Sequence, residues 1–457
     1  MEQLKQKSSV SSRLQALWWL SSVIKDGRSV NDVLSIKLKK SADLSDFPFA
    51  KQLLFGSLRY FHQIKAILDQ LLEKQLKQKD LDVYSILIIG VYQLRHLSVP
   101  DHAAISESVE LAKKIKKPWA ASLVNGILRN YLRQLEQIEN KLAKAKTFQF
   151  SHPNWIINQL EIDWGEQYQS IMEQNNRQAP MVVRVNQAKI CLEDYIQELE
   201  GVGLKGVKHP VAQDALVLES ACDVHKLPGF ETGLVSVQDA APQLVVELLD
   251  LDEHTNLDEQ TDNLKVLDGC SAPGGKTAHI LQRYPAVALT SVEMSEKRIQ
   301  KIEQTLLRLG LDKQPNFKLL CSDLLDLEQW WDGELFDRIL IDVPCSASGV
   351  IRRNPDIKLH RKKQDLTNIV QLQAEILGSA WSILKPGGKL VYATCSIFKD
   401  ENENQINKFL SNHDAKIYRL SKKIDEVLSG HSQIGYQILP GELQMDGFYL
   451  CGLEKPL

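Results

Sequence analysis

The stretch Asp268-Gly269-Cys270-Ser271-Ala272-Pro273-Gly274-Gly275-Lys276-Thr277 decides the fold class of this chain. It directly follows the apolar residues Val266 and Leu267 and precedes a segment with helical periodicity, so it predicts a strand, a tight turn and a helix start. Glycines let the backbone turn sharply and approach a ligand closely. The free N–H groups of the helix N-terminus then face that ligand. The stretch therefore indicates a ligand-binding turn at the edge of an α/β sheet.

Four further apolar runs follow this turn, and segments with helical periodicity separate them. The runs lie at residues 289–292, 317–320, 338–341 and 389–392. This alternation is typical of a parallel sheet with helices on both faces. Such a sheet binds ligands at the carboxyl ends of its strands. We therefore predict an α/β Rossmann-like domain over residues 236–457, with its functional residues directly after the strands.

Two regions of different character precede this domain. Residues 1–140 carry apolar residues at helical spacing, and residues 83–94 are apolar almost all round, as in a central buried helix. Residues 151–235 contain short β-rich runs with a helix-patterned segment between them. The β-rich runs lie at 181–185 and 215–218. We predict a multidomain chain with an all-α N-terminal domain over 1–140 and a small α/β linker module over 151–235.

The composition is that of an ordinary globular protein. The chain has 457 residues, of which 43% are hydrophobic and 25% charged, so two or three domains are expected. No apolar run reaches the ~18 residues that a membrane span needs, and the N-terminus lacks the apolar core of a signal peptide. The seven cysteines are scattered, and no C-x-x-C pair suggests zinc. We expect a cytoplasmic monomer without a membrane partner or a metal, and an exposed acidic loop at 250–263.

Acidic residues follow the second and third strands of the predicted sheet. Glu293 ends the second run, and an acid at this position usually accepts hydrogen bonds from ribose hydroxyls. Asp323 follows the third run, where a carboxylate can accept a hydrogen bond from an adenine amino group. Because these acids fall in register with the glycine turn, they point together to a nucleoside-containing ligand.

Two cysteines follow adjacent strands at the same predicted edge. The fourth run leads into Asp342-Val343-Pro344-Cys345-Ser346-Ala347-Ser348-Gly349, and the fifth into Thr394-Cys395-Ser396. A single cysteine after a strand is usually an inert small apolar residue. Two of them beside a ligand-binding turn suggest chemistry instead.

Methylation of cytosine at carbon 5 gives such cysteines a purpose. Carbon 5 is too weak a nucleophile to attack a methyl sulfonium, but a thiolate that adds to carbon 6 makes carbon 5 enamine-like. The addition needs a proton or hydrogen bond at ring nitrogen 3, and a protonated Asp342 can donate it if burial raises its pKa. The chemistry alone leaves open which of Cys345 and Cys395 attacks.

These motifs resemble the RNA 5-methylcytosine methyltransferases of the Sun/Nol/NOP2 class. The resemblance rests on D-G-C-S-A-P-G-G-K, D-V-P-C-S-A-S-G and A-T-C-S, and it extends to residues 237–241, 352–356 and 446–448. The helical first 140 residues are similar to the antitermination factor NusB, an RNA-binding domain. Members that combine the two parts act on bacterial small-subunit ribosomal RNA, and the similarity covers nearly the whole chain.

The resemblance implies a role for each motif. It makes S-adenosylmethionine (SAM) the cofactor, Cys395 the covalent nucleophile and Cys345 the residue that helps product release. The implied cofactor-binding residues are Cys270, Ser271, Ala272, Pro273, Gly274, Gly275, Lys276, Glu293, Asp323 and Asp342. This chain departs from the common pattern at Ser271, Val343 and Glu293, and none of these departures removes a functional group.

A basic stretch after the fourth motif is the predicted RNA contact. Arg352, Arg353 and Lys358 should lie beside the flipped cytosine and bind phosphates, so RNA affinity should fall with salt. We expect the N-terminal helical domain to add RNA affinity and choice of site without contributing to methyl transfer.

Two other functions remain possible from the sequence. Gly275-Lys276-Thr277 looks like the end of an ATP-binding P-loop, but that motif needs a glycine at position 270, where this chain has Cys270. A non-catalytic RNA-binding scaffold is the second alternative. It would have no need of Asp342, Cys345 and Cys395 together.

Overall fold

The computed structural model describes residues 11–35, 47–251, 264–428 and 430–457. The chain forms two compact units. The helical unit comprises Met1–Arg177 together with Ile351–Lys362, and the methyltransferase-like unit comprises Gln178–Val350 together with Lys363–Leu457. Of the predicted acidic loop at 250–263, residues 252–263 lie outside the described residues.

The helical unit contains helices α1 to α11 and one short helix contributed from much later in the chain. Their bounds are α1 Ser12–Asp26, α2 Val30–Ser35, α3 Phe47–Arg59, α4 Phe61–Leu71, α5 Leu81–His96, α6 Asp101–Lys114, α7 Ala120–Arg133, α8 Leu135–Leu142, α9 Lys146–Phe150, α10 Asn154–Trp164, α11 Tyr168–Asn175 and α17 Ile357–His360. Helix α5 is the predicted central helix, and every residue from Ser85 to Gln93 is buried. Its apolar residues pack on all sides, as the unbroken hydrophobic run requires.

The helical unit is larger than the expected domain of residues 1–140. Helices α9 to α11 continue it to Arg177, and α10 buries Ile156, Ile157, Leu160 and Trp164. Residues 351–362 fall inside the predicted α/β domain of residues 236–457, but the structure groups them with the helical unit. Leu359 packs against the helical core, which explains why this segment is grouped there.

The methyltransferase-like unit begins with a small antiparallel sheet, which corresponds to the predicted α/β module. Its strands are β1 Val182–Val185, β2 Gly206–Lys208, β3 Ala215–Leu218 and β4 Val235–Val237, with helix α12 Leu192–Gly201 after β1. They pair in the order β2-β3-β1-β4. Strands β1 and β3 match the predicted runs, whereas β2 and β4 span three residues each and are too short for a periodicity to show.

The large sheet carries the predicted glycine turn. Its strands are β5 Lys265–Gly269, β6 Ala288–Glu293, β7 Phe317–Cys321, β8 Phe336–Asp342, β9 Leu384–Thr394, β10 Lys416–Tyr418, β11 Tyr436–Ile438 and β12 Phe448–Glu454. The order is β10-β12-β9-β8-β5-β6-β7, and β11 also pairs with β12. Strands β5 to β9 are parallel to one another, as predicted.

The C-terminal part of this sheet differs from the parallel sheet that we expected. Strand β12 runs antiparallel to β9, β10 and β11. A parallel neighbour requires a crossover connection that reverses the chain direction twice, whereas antiparallel neighbours need only a turn. The sheet is therefore mixed.

Helices connect the strands of the large sheet. They are α13 Ala240–Leu248, α14 Gly275–Arg283, α15 Glu296–Leu309, α16 Leu327–Trp330, α18 Lys363–Ser382, α19 Glu403–Leu410 and α20 Lys422–Leu428. Throughout the described part of the chain, every helix is too short or too polar to cross a membrane.

Candidate active site

The glycine turn joins β5 to α14 in a conformation that its sequence explains. Cys270 and Gly274 both have positive φ, 59° and 91° respectively, and α14 begins at Gly275. A Cβ atom at position 274 would lie 3.1 Å from Ile302 Cγ2, so a side chain there would be strained and crowded. The turn thus brings a backbone segment and a helix N-terminus to the edge of the sheet.

A cavity of about 440 Å³ lies beside this turn. The predicted cofactor residues that line it are Cys270, Ser271, Ala272, Pro273, Gly275, Lys276 and Asp342. Asp268 also lines it, and its Oδ1 atom is buried without a hydrogen-bond partner among the described residues. Burial raises the pKa of Asp268 to about 7. An orphaned carboxylate oxygen at a cavity wall is an acceptor for a polar ligand, so these residues fit a SAM molecule.

Glu293 and Asp323 follow their strands as expected but do not line this cavity. Glu293 is buried and accepts hydrogen bonds from the backbone N–H groups of Ala272, at 3.3 Å, and Ser295, at 3.1 Å. It also pairs with Arg298, at 3.2 Å. Asp323 is exposed and accepts from Leu325 N–H at 3.0 Å. Glu293 therefore braces the glycine turn, and the ligand roles of both acids stay predictions.

Lys276 and Asp342 form an ion pair inside the cavity, between Nζ and Oδ2. Burial by itself would lower the pKa of Lys276, but the Asp342 carboxylate outweighs it and the pKa is raised. The ammonium group also lies 5.6 Å from the centre of the Phe448 ring. Asp342 accepts a charge-assisted hydrogen bond here, so its predicted donation to cytosine needs a proton on the carboxyl group.

The two predicted catalytic cysteines lie together. Strands β8 and β9 are neighbours, and the Sγ atoms of Cys345 and Cys395 are 3.3 Å apart. The hydrogen bond to Cys395, followed by burial, raises the pKa of Cys345 well above its usual range. Burial also raises the pKa of Cys270 to about 12, which makes that thiol a poor nucleophile. The structure thus brings two thiols close enough to share a proton.

Two glycines hold these motifs against each other. Gly349 N–H donates to Cys395 O at 3.0 Å, and Gly447 N–H donates to Gly349 O at 2.9 Å. A Cβ atom at either glycine would collide with the backbone of the other. The D-V-P-C-S-A-S-G, T-C-S and D-G-F motifs therefore meet in space, and their glycines allow that contact.

The basic residues predicted to contact RNA lie in the segment that belongs to the helical unit. Lys358 is 1% exposed, and its Nζ donates to Arg59 O, Ser151 O and Asn176 Oδ1 at 2.5, 2.8 and 2.9 Å. Arg352 is 3% exposed, and Arg353 is partly buried. Protein acceptors occupy the donors of Lys358, so this placement does not support its predicted role in binding RNA phosphates.

Arg184 is a cavity residue that sequence reasoning missed. It lies on β1, is buried, and donates to Gln238 Oε1, Gly275 O and Gln282 Oε1 at 2.5, 2.6 and 3.0 Å. The signal available in the sequence was one arginine inside the apolar run 181–185. Such a charge requires buried partners, but only the folded chain shows that one of them is the start of helix α14.

Comparisons with known proteins identify the class to which this fold and site belong. Residues 254–454 match the family 16S rRNA methyltransferase RsmB/F, residues 10–133 match the NusB family, and residues 152–225 match the Methyltr_RsmF/B-like ferredoxin-like domain. The sheet, the glycine turn and these matches define a SAM-dependent methyltransferase. More narrowly, the chain belongs to the RsmB/F family of 16S rRNA methyltransferases, with a NusB domain at its N-terminus.

Individual relatives agree with this assignment. Ribosomal RNA small subunit methyltransferase B of Vibrio vulnificus is 41% identical, over 95% of this chain and 97% of the relative. The enzyme of the same name from Vibrio cholerae is 43% identical, over 90% of each chain. Among solved structures, PH0851 is similar in fold, with a TM-score of 0.77 and 21% identity over 98% of this chain and 100% of the other.

No group of metal ligands accompanies the site. Within residues 11–35, 47–251, 264–428 and 430–457, no cluster of three or more His, Cys, Asp and Glu side chains is arranged to hold a metal ion.

Proposed function

We propose that this enzyme transfers a methyl group from SAM to carbon 5 of a cytosine in small-subunit ribosomal RNA, with Cys395 as the covalent nucleophile. The observation that carries the proposal is the pair of thiols, Cys345 and Cys395, at 3.3 Å beside Asp342. Methyl transfer to a ring nitrogen or to a ribose oxygen needs no thiol, whereas addition to carbon 6 does. The names of the relatives support small-subunit ribosomal RNA as the substrate.

Residues of the glycine turn are proposed to hold the cofactor. Residues 270–273 and Gly275, together with Asp268 and Asp342, line the cavity in which SAM would bind. Glu293 would act through the turn, since it accepts the Ala272 N–H. When bound, SAM supplies an electrophilic methyl group.

The covalent step uses the Cys395 thiolate. Its sulfur forms a bond to carbon 6 of cytosine, the carbon 5–carbon 6 π electrons shift into the ring, and ring nitrogen 3 takes a proton. Asp342 is the proposed donor in its protonated form, and the Lys276 ammonium group, which pairs with it, then holds the carboxylate that results. Carbon 5 then bears the electron density needed to take the methyl group, which a bound SAM would supply while its sulfonium became a neutral thioether.

Release requires a base for the hydrogen on carbon 5, and Cys345 is proposed for that role. Its raised pKa keeps Cys345 a thiol before the addition step. Once the Cys395 sulfur is bonded to carbon, the hydrogen bond that most raises the Cys345 pKa is lost, and Cys345 becomes easier to ionise. The Cys345 thiolate can then take the carbon 5 proton. As the double bond reforms and the Cys395 thiolate departs, ring nitrogen 3 returns its proton to Asp342.

Two substitutions separate these roles on a denaturing gel with labelled ribosomal RNA and SAM. Cys395→Ser should abolish turnover and leave no RNA-linked protein, because a serine hydroxyl without an activating base is a poor nucleophile. Cys345→Ala should still add and methylate but release slowly, so that RNA-linked protein accumulates. Cys321→Ala, at the exposed thiol that ends β7, is the matched control and should behave as the parent enzyme.

The opposite result would exchange the roles of the two cysteines. An adduct with Cys395→Ser and none with Cys345→Ala would make Cys345 the nucleophile. Retained turnover without an adduct in both variants would end the covalent mechanism. Bisulfite mapping of the same RNA then identifies the position, and absence of 5-methylcytosine would reject the proposed product.

The helical unit is proposed to add RNA affinity and choice of site, as its NusB match suggests. A fragment without residues 1–177 is a poor test, because it would strip residues 351–362 of the helical partners of Lys358. The role can be tested in the intact enzyme with a separate NusB-like RNA-binding protein as competitor. Binding of the enzyme to the same RNA is measured with and without the competitor, as a function of salt concentration. No competition at low salt would remove the helical unit from RNA recognition.

A further inference from the structure

A buried glutamate lies beneath the two cysteine turns. Glu401 is 0% exposed, and it accepts hydrogen bonds from both Ser346 and Ser396. Ser346 donates through its backbone N–H at 2.7 Å and through its hydroxyl at 2.5 Å, and Ser396 donates through its hydroxyl. Gln373 Nε2 donates as well, at 3.2 Å. The two serines directly follow Cys345 and Cys395, so one carboxylate holds both cysteine turns.

The hydrogen bonds of Glu401 match an ionised carboxylate. Four donors converge on its two oxygens, and an ionised carboxylate accepts without donating. Burial raises the pKa of Glu401, while the hydrogen bonds from Ser346 and Ser396 oppose that rise. A glutamine at this position would direct an N–H₂ group against other donors, which removes bonds and adds repulsion.

The next residue, Asn402, holds the Cys395 turn from the other side. Its Oδ1 accepts from Thr394 Oγ1 at 2.6 Å, and its Nδ2 donates to Ser396 O at 2.9 Å. The residues on both sides of Cys395 are therefore bound by the pair Glu401 and Asn402. Ser348 adds a further link, since its hydroxyl lies 3.0 Å from that of Ser396.

We propose that Glu401 is a positioning residue that fixes the Cys345 and Cys395 turns against each other, so that the two sulfur atoms keep the separation needed for proton sharing. This inference rests on the proposed function, since it assigns Glu401 to the covalent step through the two thiols. Glu401 bonds to the serines that follow the cysteines, and neither sulfur is among its hydrogen-bond partners.

The negative charge of Glu401 has a second effect on the same site. After the Cys395 hydrogen bond, burial and the charge of Cys395, Glu401 contributes to the raised pKa of Cys345. Replacing the carboxylate by a neutral amide should therefore let Cys345 ionise at lower pH. Cys345 would then lose its proton more readily in the free enzyme, which is a change that a purely structural residue would not cause.

The test compares Glu401→Gln with Glu403→Gln in the full chain. Glu403 lies two residues away and bonds to Gln433 N–H, outside this network. The first measurement is alkylation of Cys345 by iodoacetamide as a function of pH, without RNA or SAM, read by peptide mass spectrometry. Glu401→Gln should shift the Cys345 profile to lower pH, and Glu403→Gln should leave it unchanged.

The second measurement is the rate of adduct formation with ribosomal RNA that contains 5-fluorocytosine, a base whose adduct cannot lose a proton from carbon 5. Glu401→Gln should slow the adduct roughly 10- to 100-fold, the range expected for a small misplacement of reacting groups. RNA affinity should stay unchanged. Glu401→Asp, which keeps the charge on a shorter side chain, should restore the alkylation profile and part of the rate.

The outcomes are separable. A parent-like alkylation profile and adduct rate for Glu401→Gln would overturn the positioning role. If Glu401→Gln does not fold, Ser346→Ala and Ser396→Ala each remove part of the network, and unchanged profiles and rates in both would overturn it. A shifted alkylation profile in a protein that never forms an adduct would retain the link between Glu401 and the thiols and reject the covalent function instead.

Discussion

Two fully buried charges serve different purposes in the two units of this molecule. Lys358 in the helical unit is 1% exposed, and Glu401 in the methyltransferase-like unit is 0% exposed. The hydrogen bonds of Lys358 reach acceptors on Arg59, Ser151 and Asn176, which are far apart in sequence. The partners of Glu401 include the residues next to both cysteines. One charge fastens segments together, and the other is built into the candidate active site.

The comparison teaches that burial of a charge does not by itself indicate catalysis. Burying a charge is expensive unless hydrogen bonds satisfy it, and both side chains meet that condition. What separates them is the identity of the partners. Lys358 contacts carbonyl groups of helix ends and loops, whereas Glu401 holds groups adjacent to the two cysteines. Substitutions at buried charges should therefore separate stability from chemistry.

The largest effect is expected from Lys358→Met. The change leaves three buried acceptors without their donor, which should lower the free energy of unfolding of the helical unit by about 3–5 kcal/mol. At temperatures below the transition, adduct formation per folded molecule should stay close to that of the parent. Thermal unfolding followed by calorimetry measures the first effect, and the gel assay measures the second.

Lys363→Met is the control, because Lys363 is exposed. An unfolding transition of Lys358→Met that matched this control would show that Lys358 does not fasten the unit. Loss of adduct formation in a folded Lys358→Met protein would instead show that Lys358, like Glu401, affects the candidate active site.

A smaller effect is expected from Arg184→Met. Arg184 is a buried charge that both fastens segments together and lies at the candidate active site. Burial lowers the pKa of Arg184 to about 9, and its guanidinium donates to Gly275 O at the start of α14. Loss of a charge-assisted hydrogen bond of about 1–2 kcal/mol should weaken SAM binding roughly 5- to 30-fold. Isothermal calorimetry with SAM measures the change, and Lys318→Met on strand β7 is an exposed control. Equal SAM affinities of Arg184→Met and the parent enzyme would show that Arg184 does not support the glycine turn.

The smallest effect concerns acid stability near Lys358. Burial, followed by the positive charge of Lys358, lowers the pKa of His62 from 6.5 to about 4. The folded protein thus binds this proton less readily than the unfolded chain, so stability is full above pH 6.5 and falls as the pH drops from about 6.5 toward about 4. At pH 5.5 this one group should cost about 1 kcal/mol relative to pH 7.5.

His62→Gln tests that assignment, because glutamine can still donate to Lys358 O, the partner of His62 at 3.1 Å, without titrating. The difference in unfolding free energy between pH 7.5 and 5.5 should shrink by about 1 kcal/mol. His102→Gln, at an exposed histidine, should leave the difference as it is. An unchanged pH dependence in His62→Gln would mean that this histidine is not held neutral by its surroundings.

Much of the fold was accessible from local patterns. The apolar runs predicted β5 to β9 of the large sheet, because strands buried on both faces are nearly continuous in hydrophobic residues. Strands β10 and β11 were not predicted, because they span only three residues each. The apolar runs also gave no reason to expect an antiparallel β12. Strand direction depends on the connection, and hydrophobicity does not record it.

The sequence by itself determined which residues meet at the candidate active site. The glycine turn, Asp342, Cys345 and Cys395 could be placed at one sheet edge because the carboxyl ends of parallel strands meet there. Their catalytic and cofactor roles stay predictions.

Only the tertiary structure decided which charges are available at the surface. The run from Arg352 to Lys363 has the composition of a solvated RNA-binding segment, yet Lys358 is enclosed by acceptors from residues 182 to 299 positions away. Glu401 likewise reads as one acid in the polar segment Lys399-Asp400-Glu401-Asn402-Glu403. The reason is physical: burial and hydrogen-bond partners arise from contacts between distant segments, and a charged letter is the same whether water or protein surrounds it.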